Sequence, residues 1–144
     1  MLPRTHIIIN LFLSLIFSFK IPFLGIVIFF LSSILIDIDH YIYYIIKKKD
    51  FNIKNSYKYF IKRELKLKKL SDKELKKLKH PILFLHGIEP LLVIYFLSLS
   101  YPILVYVYLG FFIHLIEDLI HEKKAYLTKL RFFLIYSIYD YKKK

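Results

Sequence analysis

Cysteine and tryptophan are absent from this chain, and glycine occurs only three times in 144 residues. Without cysteine there can be no disulfide, no thiolate metal site and no cysteine nucleophile. Any metal held by side chains must then be held by His, Asp or Glu. Acidic residues are scarce as well: 11 Asp and Glu stand against 23 Lys and Arg, a formal net charge of +12. Apolar residues are abundant, with 57% of the chain hydrophobic and 19% aromatic. One domain is the natural reading of this length, and a domain so small has too much surface for its volume to hide that apolar area from water. Lipid is the expected solvent for the excess.

Four apolar stretches carry the hydrophobicity. Ile7–Phe19 is uncharged but short, and Arg4 before it gives it the look of a signal sequence. No small-x-small cleavage site follows, so a retained membrane segment is expected. Ile21–Ile46 is interrupted only by Asp37, Asp39 and His40. Pro81–Ile113 is long enough for two helices, with the turn expected at Tyr101-Pro102, because proline disfavours helix at the residue before it. Pro81 is placed to open the first of these two at its first helical position, and the second continues through Gly110 to about His121. Between the halves lies Lys47–Lys79, with 14 Lys or Arg and four acids. Within it, Tyr57, Phe60, Ile61 and Leu65 recur at helical spacing, the pattern of a basic amphipathic helix lying on a membrane. Ser71-Asp72-Lys73-Glu74 has the form of a capping box that opens a short second helix.

These signals predict an all-α, polytopic membrane bundle of about four transmembrane helices. Its single domain divides into a helical hairpin (1–46), a basic cytoplasmic connector (47–79), a second hairpin (80–122), and an interfacial helix with a basic tail (123–144). The positive-inside rule places the N-terminus and the connector in the cytoplasm of a multi-pass cell-membrane protein, leaving Lys20 as the one outer cation among 23. Anionic lipid headgroups account for the basic connector, so the bilayer, and not nucleic acid, is the expected partner.

The titratable residues fall at one depth of this topology. His6 lies at the inner end of the first helix, and Asp37, Asp39 and His40 lie toward that of the second. His80 and His86 lie at the inner end of the third, with Glu89 one turn deeper, and His114, Asp118 and His121 at that of the fourth. His114, Asp118 and His121 follow i, i+4, i+7 and share a face; Asp37 and His40 are one turn apart, as are His86 and Glu89. Asp39 points elsewhere on a regular helix, so it reaches the site from a frayed end or by orienting a ligand. Glu117 reads as off the shared face, a surface partner for Lys123 and Lys124. A single ionisable residue near an interface would snorkel or pair with a lysine. A set gathered from four helix ends is instead how bundles build imidazole and carboxylate metal sites. Such ligands suit zinc, manganese or iron.

In order and spacing these residues resemble the YdjM-like membrane-bound metal-dependent hydrolases. Thr5-His6 matches that family's early His after a small or polar residue. Leu35-Ile36-Asp37-Ile38-Asp39-His40 matches its Leu-Pro-Asp-Ile-Asp-His block, with Ile36 in place of Pro. His80 to His86 corresponds to its His-x4-His element, one residue wider and without the usual Arg and Thr. Gly110, His114 and Asp118 match its Gly-x3-His-x3-Asp block. More distantly, the motif order is similar to that of zinc-dependent phospholipase C and P1 nuclease. The resemblance implies a metal-dependent hydrolase at the cytoplasmic membrane interface, acting on a phosphoester or lipid substrate. Its divalent metal, zinc first, would be held among His6, Asp37, His40, His80, His86, His114 and Asp118, with Asp39 and Glu89 as general base or positioning carboxylates. The alternative is a non-enzymatic membrane protein in which the same residues clasp the helices together.

Overall fold

The computed structural model describes residues 3–122 and 125–143, and every regular element among them is an α-helix. α1 (Pro3–Phe17) and α2 (Phe23–Leu35) form the first hairpin. A two-residue turn at Ile36-Asp37 then breaks the long apolar run, and the chain resumes as α3 (Ile38–Lys48), which ends at Lys49 in the left-handed region with φ of 52°. Asn52 caps α4 (Ile53–Lys69), its side-chain oxygen accepting from the N–H groups of Lys54 and Asn55. α5 (Asp72–Lys77) opens on the expected capping box between Ser71 and Glu74. α6 (Ile88–Ser100) and α7 (Leu104–His121) flank the Tyr101-Pro102 turn where the sequence places it. α8 (Ala125–Phe132) and α9 (Leu134–Lys143) follow.

Two expectations change here. The helix expected to open at Pro81 opens at Ile88, and residues 78–87 are irregular. The physical reason is that the Leu85 N–H is taken by Asp39 Oδ2 at 3.1 Å, which holds this segment out of a helix. His86 and Glu89 therefore do not share a helical turn. The C-terminal segment is also two helices instead of one, divided at Phe133. The α9 N-terminus is capped from outside: Glu89 Oε2 accepts from the Leu134 N–H and Oε1 from the Ile135 N–H, both at 2.9 Å. A carboxylate at a helix N-terminus satisfies otherwise unpaired donors and the dipole. Glu89→Ala is expected to lower stability by about 1 kcal/mol, the usual loss for a cap, and thermal melting of purified protein would show it.

Buried and exposed residues are distributed inside out. Among the described residues, seven hydrophobic side chains are buried against fifteen polar or charged ones, while long rows of Leu, Ile and Phe face outward. Phe23–Lys48 and Leu104–His121 are long and apolar enough to cross a membrane. α1 and α6, with 15 and 13 residues, are shorter. At 1.5 Å per residue they reach about 20 Å, against a hydrocarbon core of about 30 Å. The connector does not simply lie free on a surface. Leu75 of α5 is fully buried against Leu127 of α8, with Leu67, Leu70 and Tyr136 around them.

The most extensive packing is between α2 and α7. Gly110 makes it possible. A Cβ at that position would collide with Ser32 Oγ and would stand 2.7 Å from the Phe29 carbonyl oxygen and 3.0 Å from the Ser33 nitrogen. With no side chain there, the two backbones meet, and His114, one turn further along α7, arrives beside the Ser33 carbonyl.

Candidate metal centre

Three separate parts of the chain meet α7 at this point. α1 brings His6, the α2–α3 break brings Asp37, Asp39 and His40, and the irregular 78–87 segment brings His86. α7 itself contributes His114, Glu117 and Asp118. Their ligand atoms form three overlapping groups: His6, His114 and Asp118; Asp37, His86 and His114; and Asp39, His40 and His86, each group within 4.8 Å. The break at Asp37 explains how Asp39 joins a set from which a regular helix would exclude it.

Three of the imidazoles are held the same way. His6 Nδ1 lies 2.5 Å from Glu117 Oε2, His86 Nδ1 lies 3.1 Å from Asp39 Oδ2, and His114 Nδ1 lies 2.7 Å from the Ser33 carbonyl oxygen. Each acceptor places a proton on Nδ1, so Nε2 is the nitrogen left to face the cluster. All three Nε2 atoms turn inward. His114 Nε2 and His86 Nε2 are 3.3 Å apart, Asp37 Oδ1 is 3.2 Å from the latter and 3.6 Å from the former, and His6 Nε2 is 3.4 Å from Asp118 Oδ1. The His6 and His114 rings stack with centroids 3.9 Å apart and planes within 14° of parallel. A proton on His86 Nε2 satisfies Asp37 Oδ1 and His114 Nε2 together, and a cation could take the place of that proton among the same atoms. Tying Nδ1 to an outer acceptor so that Nε2 points at the ion is how proteins orient metal-binding histidines.

The donor chemistry fits a divalent cation in a second respect. Asp37 Oδ2, Asp39 Oδ1 and Glu117 Oε1 are buried and have no hydrogen-bond partner, a costly state for polar atoms that coordination would remove. Burial pushes the His86 imidazole down, but Asp39 and Asp37, with Asp118 beyond them, outweigh it and hold it up at about 10. That negative field favours any cation at this place. Exposure is graded: His114 and Asp118 are 0% and 2% exposed, whereas the side chains of Asp37 and His40 keep 12% and 24%. The site therefore opens at its Asp37–His40 edge, where Phe60 of α4 lies 4.8 Å from the His40 ring.

The structure does not bring every candidate here. His80 is buried elsewhere, with Nε2 donating to the Leu75 carbonyl at 2.9 Å and Nδ1 3.5 Å from an Arg63 nitrogen. Glu89 caps α9, as described above. His121 meets Glu64 at 3.1 Å. Burial raises the Glu64 carboxyl, but Lys68 and His121 outweigh it and lower it below the usual range. Glu117 corrects the sequence reading: it is only 8% exposed and holds His6, far from a surface role. Its i+3 spacing from His114 carried that signal, since i, i+3 neighbours share a helix face. Asn10 had no signal beyond its i+4 spacing from His6, yet its fully buried amide donates to the His6 carbonyl at 2.9 Å and to Glu117 at 3.4 Å.

Compared with protein-family models, curated proteins and solved structures, the chain matches none.

Proposed function

We propose that this chain is a multi-pass membrane protein that binds a divalent metal in the His/Asp cluster and uses it to hydrolyse a phosphoester or lipid substrate at the cytoplasmic interface. The observation that carries the metal reading is that three imidazoles, each held through Nδ1 by its own acceptor, turn Nε2 toward His or Asp ligand atoms of the cluster. The four motif blocks that resemble the YdjM-like hydrolases end in residues of this cluster, His80 excepted. Outward-facing apolar rows and the two spanning-length stretches support the membrane setting. The four-helix topology with a cytoplasmic connector follows from the charge distribution.

In this reading His6, Asp37, His40, His86, His114 and Asp118 hold the cation, zinc first, with manganese or iron as alternatives. A bound cation supplies Lewis acidity toward the scissile group and a water acidified toward neutrality. The chain's own groups then do three things. Glu117, Asp39 and the Ser33 carbonyl fix the imidazole tautomers. Asp39, with Oδ2 engaged by His86 and the Leu85 N–H, keeps Oδ1 to accept a proton from the attacking water. The Asp37–His40 edge admits substrate, while α1 and α7 close the other sides against water.

One observation favours the second reading, a structural clasp: much of the cluster is sealed, and structural metal sites are closed. The two separate on the full chain purified in detergent. The hydrolase reading expects about one or two metal ions per chain and hydrolysis of phosphodiester or phospholipid probes that chelation abolishes and zinc or manganese restores. Bound metal without hydrolysis across such a panel would favour the clasp, and failure to bind metal even after reloading would sink both metal readings.

A further inference from the structure

A second recess lies along α3 from the metal cluster, and the charged side chains that line it are cationic. α3 and α4 run back to back from the turn at Asp50 to Asn52, and between them is a cavity of about 280 Å³ lined by Tyr44, Lys48, Asn55, Lys58, Tyr59 and Lys62. Tyr44 and Lys48 follow His40 at i+4 and i+8, so the recess lies on the same face of α3, about 6–12 Å along its axis from the cluster. Lys58 and Lys62 are one turn apart on α4, where like charges repel. Lys48 Nζ stands 5.8 Å from the centre of the Tyr59 ring. Among the described residues, none of these three lysines takes part in an ion pair.

One carboxylate, Asp50, stands beside the recess and is taken up by hydrogen bonds to its lining and to the turn. Asp50 Oδ2 accepts from the Tyr44 hydroxyl at 2.5 Å and the Asn55 amide at 3.0 Å, and Oδ1 accepts from the Asn52 N–H at 2.9 Å. Asp50 thus braces Tyr44 and Asn55 at the wall of the recess, and three lysine side chains line the same space. Lysine is a compact, strongly donating point charge suited to phosphate. A phosphate offers ammonium groups more acceptor oxygens than the two of a carboxylate: three non-bridging in a monoester, two non-bridging and two ester oxygens in a diester. The Tyr44 and Tyr59 rings, 5.5 Å apart, offer an apolar wall to the carbons beside it.

We propose that this recess binds a phosphate group, borne by an anionic lipid headgroup or by a soluble phosphate ester. Binding here is independent of the metal. That the recess anchors the phosphate of a substrate for the neighbouring cluster rests on the hydrolase reading above.

The test titrates the full chain in zwitterionic detergent with dihexanoyl phosphatidylglycerol and, separately, with inorganic phosphate, by calorimetry. Wild type is compared with a Lys58→Gln/Lys62→Gln double variant and with a Lys73→Gln/Lys76→Gln double variant. The second pair removes the same charge from exposed positions of α5. Circular dichroism and metal content are recorded on every preparation. Loss of two charge-assisted hydrogen bonds predicts at least about tenfold weaker binding in the first pair, and a change within about twofold in the second. If inorganic phosphate shows the same discrimination as the lipid, the ligand is a soluble phosphate; if only the lipid does, it is a headgroup. Equal weakening in both pairs, or no saturable binding to wild type, overturns the proposal. Metal-free wild type that keeps the discrimination leaves this site standing while the metal reading falls, and metal-loaded wild type without it does the reverse.

Discussion

His114→Ala should reduce bound metal to background while the other ligand residues remain in place. His114 belongs to two of the three ligand groups, so its loss leaves two of them incomplete. Its Nε2 faces His86 Nε2 at 3.3 Å and Asp37 Oδ1 at 3.6 Å, and its Nδ1 is fixed on the Ser33 carbonyl. No neighbouring side chain can move in to replace a ring that is fully buried between two packed helices. Asp39→Asn gives a graded companion: the amide keeps the shape but removes the charge that orients His86. Changes of that kind typically weaken metal binding about 10- to 100-fold. His80→Gln and Glu89→Gln should leave metal content at the wild-type level, because both side chains are engaged away from the cluster. Elemental analysis of the four variants beside wild type decides the matter. Undiminished metal in His114→Ala would show that the ion sits somewhere else.

The second large effect is expected from a residue with no side chain. Gly110→Leu should prevent α2 and α7 from docking, because even the first carbon of the new side chain falls on Ser32 Oγ and the Phe29 carbonyl. Part of that obstacle is backbone, which cannot rotate away. Overpacking of a tight contact costs about 1–3 kcal/mol and occasionally more; this interface, the largest in the molecule, should show the upper end. Gly110→Ala should already be measurably destabilised for the same reason. The informative readout pairs the melting temperature with metal content. Docking of α2 on α7 is what carries His114 to Ser33, so Gly110→Leu should lose metal with every ligand residue intact. A variant that melts like wild type and keeps its metal would mean that α2 and α7 do not meet at Gly110.

Helical periodicity and residue chemistry made much of this architecture legible. The turn at Tyr101-Pro102, the end of α7 at His121 and the capping box at Ser71 are local events, decided by proline geometry and by side-chain hydrogen bonds a few residues away. The same local logic groups His114 with Asp118 and Asp37 with His40. It failed where a distant group intervened. Pro81 is a good first residue for a helix, yet Asp39 claims the Leu85 N–H from 46 positions away, and the helix waits until Ile88. Glu89, on an apolar helix, resembles a buried catalytic acid until α9 folds back and presents its N-terminus.

The amino-acid sequence by itself determined that the chain is helical, that apolar area exceeds what its own core can hide, and that a bound metal must rest on His and carboxylate. Those properties are sums over single residues and short windows, and no partner at a distance can alter them. The tertiary structure alone decided which carboxylate holds which imidazole: Glu117 for His6, Asp39 for His86, and a backbone carbonyl for His114. That choice depends on how closely two helices approach and on one break at Asp37. Both are set by packing between segments far apart in the chain, and a difference of one methyl group at Gly110 is enough to change them.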